Sequence, residues 1–427
     1  MEINPGKCGR ISVNVKAPPS KSYTHRALII AALADGESKI IGQLDADDTR
    51  MTARALMHLG TRLEWSQENI VVHGKCGSFS APSIPIDIAD SGTSMRLLTA
   101  ASLFADGPVI LTGSNRMQER PIGPLVDTLN KTGARIEYLK SSGYPPIRIE
   151  GTLNGGDIEI NAGLSSQFIS SILIAAPYAI SNTKIMLSGD PVSLPYIRMT
   201  IEIMKAFGSE VEILEDPAFG ISLLIRAKKP YFGRIFEIEG DYSSASYWFA
   251  LAAICGGKAT VTGLNPDSVQ GDRRMLEILQ SMGCVCTYGK ESVTVICSGQ
   301  PEGIDINMAD CPDIVQTVCM IAAIAGSKSR ISGINHLKHK ESDRIAAVVH
   351  GLRELGGDVK TENDEIIISP TRLHGGVIDP ENDHRTAMCF ALLGCYTGGV
   401  TILNPGCVTK SYPDYWEELR KAWKTAE

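Results

Sequence analysis

The sequence predicts an α/β protein of two domains, each built from three copies of a strand–helix–strand–helix–strand unit. Three observations carry this expectation. The chain has 427 residues, more than one ordinary hydrophobic core organises. Two short patterns recur along it with a shared period. Helix starts of similar chemistry return at matching places within that period.

The first pattern is a helix end followed by a strand that closes at glycine. Ala34-Asp35-Gly36 leads to Ile40-Ile41-Gly42, and Ala105-Asp106-Gly107 leads to Val109 through Gly113. It returns before Gly189, Gly263 and Gly333, and as Thr397-Gly398-Gly399 leading to Val400 through Asn404. The closing positions lie 71, 76, 74, 70 and 71 residues apart. The second pattern is a helix stopped by glycine, then a strand: Leu59-Gly60, Thr132-Gly133, Phe207-Gly208, Met282-Gly283 and Leu355-Gly356. Those glycines lie 73, 75, 75 and 73 apart, and glycine suits the residue after a helix because it takes the left-handed conformation without a Cβ penalty. Two interleaved patterns of one period mark an internal repeat.

Most units carry one further strand. The sixth lacks its own ending, since the chain stops after a helix around Trp416 to Lys424. At the other end Ile11, Val13 and Val15 alternate with Ser12, Asn14 and Lys16, as in a strand over Gly9 to Lys16. That strand is expected to complete the sixth unit. One domain then covers residues 20–238 and the other residues 1–19 plus 239–427, with crossovers near Ser20 and Glu239.

Composition narrows the function classes. A net charge of -7 argues against a broad nucleic-acid-binding face, though not against a local basic pocket. The eleven cysteines are scattered without a Cys-x-x-Cys pair, which reads as buried, reduced thiols in a cytoplasmic protein. His336 and His339 lack zinc-like companions, so no metal is expected. The N-terminal stretch has no secretory apolar region, and no apolar run is long enough to cross a bilayer. Neither a Gly-x-x-x-x-Gly-Lys-Ser/Thr loop nor a dinucleotide Gly-x-Gly-x-x-Gly fingerprint is present, which excludes the ordinary NTPase and nicotinamide designs.

The first helix of each unit starts at Ser20, Ser91, Ser165, Asp241, Asp310 to Asp313 or Asp383, residue types that cap helix N-termini by accepting bonds from otherwise orphan amides. Lys21, Arg26, Arg96 and Arg385 lie in or just after such starts, and Arg120, Lys340, Arg344 and Lys410 at or near second-helix starts. A cation opposes the helix dipole there. Combined with unpaired amides it makes an anion site, and arginine's planar fork suits phosphate and carboxylate. The recurrence of eight cations at equivalent places points to a pocket for small, multiply charged anions. Asp313 and Glu341 stand among them. Each is either a cap or ion-pair partner, or an acid–base group; beside cations a carboxylate is held ionised, as a base requires.

These same stretches resemble the 5-enolpyruvylshikimate-3-phosphate synthase family across essentially the whole chain. The resemblance rests on Pro19-Ser20-Lys21-Ser22, Ser91-Gly92-Thr93-Ser94-Met95-Arg96, Glu119-Arg120-Pro121-Ile122-Gly123 and Ser165-Ser166-Gln167-Phe168. It continues through Gly240 to Ala245, Lys340-Glu341-Ser342-Asp343-Arg344, Asp383 to Met388 and Lys410 to Tyr415. It implies two inside-out α/β barrel-like domains, each of three βαβαββ-type units, with the active site in the cleft between them. It also implies transfer of the enolpyruvyl group of phosphoenolpyruvate to the 5-hydroxyl of shikimate 3-phosphate. Shikimate 3-phosphate would meet Lys21, Ser22, Arg26, Ser165, Ser166, Gln167, Ser193, Tyr196, Asp313 and Lys340. Phosphoenolpyruvate would meet Lys21, Gly92, Arg120, Gln167, Arg344, Arg385 and Lys410. Asp313 would be the base toward the 5-hydroxyl, Glu341 the proton donor and acceptor at the methylene carbon, and Lys21 a neutralising cation. No metal or organic cofactor is implied, nor a nucleic acid or membrane partner, and a monomer is expected.

Three positions depart from the family pattern: Asp90 where asparagine is common, Leu97 where proline is frequent, and His336 near a customary asparagine. Gly92 stands where some members carry alanine, which predicts sensitivity to glyphosate. The rival transferase of UDP-N-acetylglucosamine places a cysteine in the loop before its Arg-Pro pair; Ser114 through Arg120 contains none. An RNA 3′-phosphate cyclase would need a basic RNA face. A non-catalytic anion-binding protein would shed Asp313, Glu341 and Lys21, which are all present.

Overall fold

The structure is a computed structural model and describes residues 2–216 and 220–424. The N-terminal segment carries β1 (Glu2–Ile3) and β2 (Ile11–Lys16). The first repeat follows as α1 (Lys21–Leu33), β3 (Glu37–Ile41), α2 (Asp47–His58), β4 (Arg62–Trp65) and β5 (Asn69–His73). The second is β6 (Ile86–Asp87), α3 (Gly92–Ala101), β7 (Val109–Thr112), α4 (Gly123–Asn130), β8 (Ala134–Tyr138) and β9 (Ile147–Gly151). The third is β10 (Gly156–Asn161), α5 (Ser166–Ala175), β11 (Thr183–Ser188), α6 (Leu194–Ala206), β12 (Val211–Asp216) and β13 (Gly220–Ile225). Next come β14 (Ile235–Glu237), α7 (Tyr242–Cys255), β15 (Gly257–Thr262), α8 (Met275–Ser281), β16 (Val285–Tyr288) and β17 (Ser292–Cys297). The fifth repeat is β18 (Asp305–Asn307), α9 (Val315–Ala322), β19 (Ser329–Ser332), α10 (Arg344–Glu354), β20 (Asp358–Glu362) and β21 (Glu365–Ser369). The sixth is β22 (Gly376–Ile378), α11 (His384–Thr397), β23 (Val400–Leu403) and α12 (Tyr415–Lys424).

The chain forms two compact units, Pro19–Ile238 and Met1–Pro18 with Glu239–Glu427. In the first unit, each repeat makes one small mixed sheet, in the orders β14-β3-β5-β4, β6-β7-β9-β8 and β10-β11-β13-β12. In the second unit the orders are β16-β17-β15-β2, β18-β19-β21-β20 and β1-β23-β22. The repeat glycines after the second helices take positive φ, from 83° at Gly60 to 100° at Gly133, which lets each chain turn sharply from helix into hairpin.

The N-terminal strand corrects one sequence expectation. β2 does not complete the sixth sheet; it pairs in parallel with β15 of the fourth repeat, Ile11 opposite Gly257 and Lys16 opposite Thr262. The sixth sheet instead takes the two-residue β1, with Glu2 opposite Leu403. The strand just before α7, β14, runs parallel to β3 of the first repeat. The first and fourth repeats thus each take their leading strand from across a crossover.

In each unit the first helices of the repeats form the core and the sheets lie outside. In the first unit α3 packs against α1 and α5, and Ala27 through Leu33 of α1 are fully buried. In the second unit α7, α9 and α11 pack together, and α7 is buried from Tyr242 to Ile254. These helices are buried on nearly every side, and their polar residues, such as His25 and Arg26 in α1 and His384 and Arg385 in α11, are buried with them. Among the described residues no helix is long and apolar enough to cross a membrane.

Candidate active site

The capping explanation holds for five of the six first-helix starts. The side chains of Ser20, Ser91, Ser165, Asp241 and Asp383 accept bonds from the amides of Tyr23, Ser94, Gln167, Ser244 and Arg385. Asp313 departs from this. It sits in the 3-10 turn Pro312–Ile314 ahead of α9, and the N-cap residues of both elements, Cys311 and Ile314, make no side-chain cap bond. Its Oδ1 meets Arg344 Nη1 at 3.1 Å and its Oδ2 meets Arg385 Nη2 at 2.9 Å. Arg385 also donates to the Asp313 carbonyl at 3.1 Å. Asp313 is therefore clamped from α10 and α11 at once.

The clamp is part of a larger network in the second unit. Arg344, 2% exposed, extends Nε to Asp383 at 2.8 Å and Nη2 to Glu341 at 2.8 Å. Lys410, at the end of the 3-10 turn Pro405–Lys410, reaches the other Glu341 oxygen at 3.5 Å. Burial opposes the charge on Arg344, but Asp383, Glu341 and Asp313 outweigh it and raise its pKa. Lys340 follows the turn Asn335–His339 and its charge reaches the buried His336. Burial, then Lys340, lower the His336 pKa to about 3, so the imidazole is neutral there.

The first unit gathers the remaining candidates differently. Lys21, the first residue of α1, pairs with Asp48 of α2 at 2.9 Å. Arg26 is 1% exposed; it donates to the Thr200 hydroxyl at 2.7 Å, the Ser22 carbonyl at 3.1 Å and the Ser170 hydroxyl at 3.4 Å. Its guanidinium lies 5.9 Å from the centre of the Tyr196 ring. Burial lowers its pKa to about 10, with Tyr196 and Tyr23 opposing. Ser193 precedes α6 in the left-handed conformation at φ 59°. Gln167 accepts from Arg96 at 3.0 Å and donates to Thr93 at 3.1 Å, which joins α5 to α3. Arg120 donates to the Asp90 carbonyl at 3.3 Å, and a Cβ on Gly92 would lie 2.4 Å from its Nη2.

Sequence reasoning named Asp313, Glu341, Arg344, Arg385 and Lys410, which this unit brings into one cluster. In the other unit it named Ser22, Arg26 and Tyr196, which are brought together, and Gly92 beside Arg120. The structure shows no direct bond from Ser166 to the others. Three residues of these networks were missed as participants, Asp48, Asp383 and Thr200, while Arg96 had been named among the cations. Asp383 was legible only as a cap, and its second bond to Arg344 spans 39 residues. The eleven cysteines are free, and Cys76 is exposed where burial was expected. A cavity of about 580 Å³ opens beside Lys205, Ser209, Arg226 and Lys229, and contains none of these candidates.

The model of the EPSP synthase (3-phosphoshikimate 1-carboxyvinyltransferase) family matches residues 6–419. The chain belongs to this family. It is 63% identical to the 3-phosphoshikimate 1-carboxyvinyltransferase of Methanospirillum hungatei, covering 100% of this chain and 99% of the relative. It is 52% identical to that of Methanoregula boonei, over 98% of each. An EPSP synthase structure from Acinetobacter baumannii superposes with a TM-score of 0.80 at 26% identity, over 100% of this chain and 98% of that one. The two-unit α/β architecture is accordingly that of EPSP synthases, and the chain is a transferase of the shikimate pathway.

Proposed function

We propose that the chain moves the enolpyruvyl group of phosphoenolpyruvate onto the 5-hydroxyl of shikimate 3-phosphate and releases phosphate. The observation that carries the residue roles is the clamp of Asp313 between Arg344 and Arg385. Both arginines are the expected anchors of phosphoenolpyruvate. A substrate anion that engages them draws them from Asp313, and a carboxylate that loses neighbouring cations becomes a stronger base. Substrate arrival thus prepares the base for the 5-hydroxyl proton. Engagement of Arg344 and Lys410 by the substrate likewise draws them from Glu341, whose carboxyl then takes up a proton from solvent; the hydroxyl oxygen adds to C2 of the enol while Glu341 delivers that proton to the methylene carbon. Phosphate then leaves as Glu341 takes a proton back from the new methyl group. Lys21, Arg120 and Lys410 offset the charge that gathers on the phosphate.

Shikimate 3-phosphate fits the neutral surroundings of Arg26, with Ser22, Ser165, Ser166, Gln167, Ser193, Tyr196 and Lys340 adding hydrogen bonds. In this reading the protein acts as a cytoplasmic monomer on small molecules alone. The test is phosphate release from phosphoenolpyruvate, assayed in parallel with shikimate 3-phosphate and with UDP-N-acetylglucosamine. Release that requires shikimate 3-phosphate and disappears in Asp313→Ala supports the reading. Release only with the sugar nucleotide overturns the acceptor, and binding of both substrates without turnover leaves an anion-binding protein.

A further inference from the structure

Asp272 has no part in the chemistry above, yet it bonds Ser243 of α7, one helical turn before Tyr247, whose hydroxyl accepts from Arg385 Nη1 at 3.4 Å. It lies on the 3-10 turn Gly271–Arg274, just before α8, and is 2% exposed. The Ser243 hydroxyl, in the first turn of α7, donates to its Oδ2. Its Oδ1 is buried without a hydrogen-bond partner, and it makes no ion pair among the described residues. A carboxylate so far removed from water, with a single hydroxyl donor, is costly to ionise.

Charged groups on three neighbouring elements reach it. Asp241 stands at the start of α7, Asp313 on the turn before α9, and Arg385 at the start of α11. Its own turn holds Arg273 and Arg274, and Arg274 donates to the Asn307 carbonyl at 2.9 Å. The nearby Cys311 thiol, raised by burial to about 12, is neutral near pH 7. Burial first, and the charge of Asp313 second, push the Asp272 carboxyl up to about 7 against the pull of Arg385 and Ser243.

We propose that Asp272 is a positioning residue for phosphoenolpyruvate: as the neutral acid it leaves the field of Arg385 to the substrate anion, and once ionised it opposes that anion. This rests on the reading that Arg385 holds phosphoenolpyruvate. The change from neutral acid to anion falls near neutral pH, so affinity for phosphoenolpyruvate weakens above it. The substrate's own titration is common to native protein and variant, and cancels in their ratio.

The experiment is the KM for phosphoenolpyruvate from about pH 5.5 to about pH 9 in native protein and Asp272→Asn, with Arg385→Lys in parallel. The ratio of native to Asp272→Asn KM starts near one and climbs to roughly tenfold at the alkaline end, the scale of one added charge at moderate distance. A flat ratio, with Arg385→Lys raising KM, overturns the proposal and leaves the Arg385 reading standing. An unchanged KM in Arg385→Lys removes that reading and the proposal with it. Should Asp272→Asn fail to fold, Ser243→Ala serves: it takes away the one donor to Asp272 and shifts the climb to higher pH, and an unshifted profile counts against the idea. Thermal unfolding adds a readout that needs no substrate. A carboxyl whose folded pKa is raised loses stability as pH rises from its unfolded value, about 4, to its folded value. Asp272→Asn therefore gains in Tm over native protein between about pH 4 and about pH 7, whereas a purely structural role gives a constant offset.

Discussion

Arg26 and Arg344 are both buried arginines, one in each unit, and their surroundings are opposite. The bonds of Arg26 go to two hydroxyls and a carbonyl, so burial lowers its pKa. Arg344 faces Asp383, Glu341 and Asp313, and its pKa is raised. A buried cation with neutral partners is completed by an anion from outside. A cation already held by carboxylates binds a substrate anion only by exchange, and the exchange hands over a carboxylate ready for proton transfer. On the proposed reading, binding belongs chiefly to the surroundings of Arg26 and acid–base chemistry to those of Arg344.

The largest expected effect breaks the chemical side. Asp313→Asn keeps the shape of the side chain but removes the base, and kcat falls by about a thousandfold in a phosphate-release assay. A loss under tenfold would place the base elsewhere. The next effect breaks the binding side. Arg26→Met weakens shikimate 3-phosphate by roughly a hundredfold in calorimetric titration. The ligand-free variant should also melt a few degrees higher. The native charge is a cost at neutral pH, relieved only above about 10 where the guanidinium deprotonates, and Thr200 and Ser170 still bond each other at 2.9 Å. A lower melting point in the variant would show that the three bonds of Arg26 outweigh its uncompensated charge.

A smaller effect sharpens the comparison at Arg120. Gly92→Ala pushes the Arg120 guanidinium aside, since the new Cβ would lie 2.4 Å from Nη2 and 2.6 Å from Cζ. The KM for phosphoenolpyruvate rises about tenfold, and inhibition by glyphosate weakens more than substrate binding does. Native protein that keeps full turnover at glyphosate levels well above those of phosphoenolpyruvate would contradict this.

The legible parts of the molecule are those set by local chemistry. Gly60, Gly133, Gly208, Gly283 and Gly356 announce their helix ends because a left-handed residue is needed at that one place. Ser20, Ser91 and Ser165 announce helix starts because a cap reaches only two or three residues forward. The pairing of β2 with β15 was misread because alternation shows that a strand exists and says nothing about a partner more than two hundred residues away. Asp313 and Glu341 were legible as candidates, and the Glu341 pair with Arg344 lies only three residues apart; the hold of Asp313 on Arg344 and Arg385 was not legible, since its bonds span 31 and 72 residues. Asp272 gave no signal at all: its burial comes from α7 packing over its turn, which no short motif records.

The most direct test of the division between binding and chemistry is a paired measurement of shikimate 3-phosphate affinity and single-turnover rate in Arg26→Met and Asp313→Asn. The account predicts that Arg26→Met loses affinity yet reacts at a near-native rate when saturated. It predicts that Asp313→Asn binds within about tenfold of native protein and scarcely reacts. An Asp313→Asn protein that loses affinity as severely as Arg26→Met, or an Arg26→Met protein that binds normally but does not react, would contradict it.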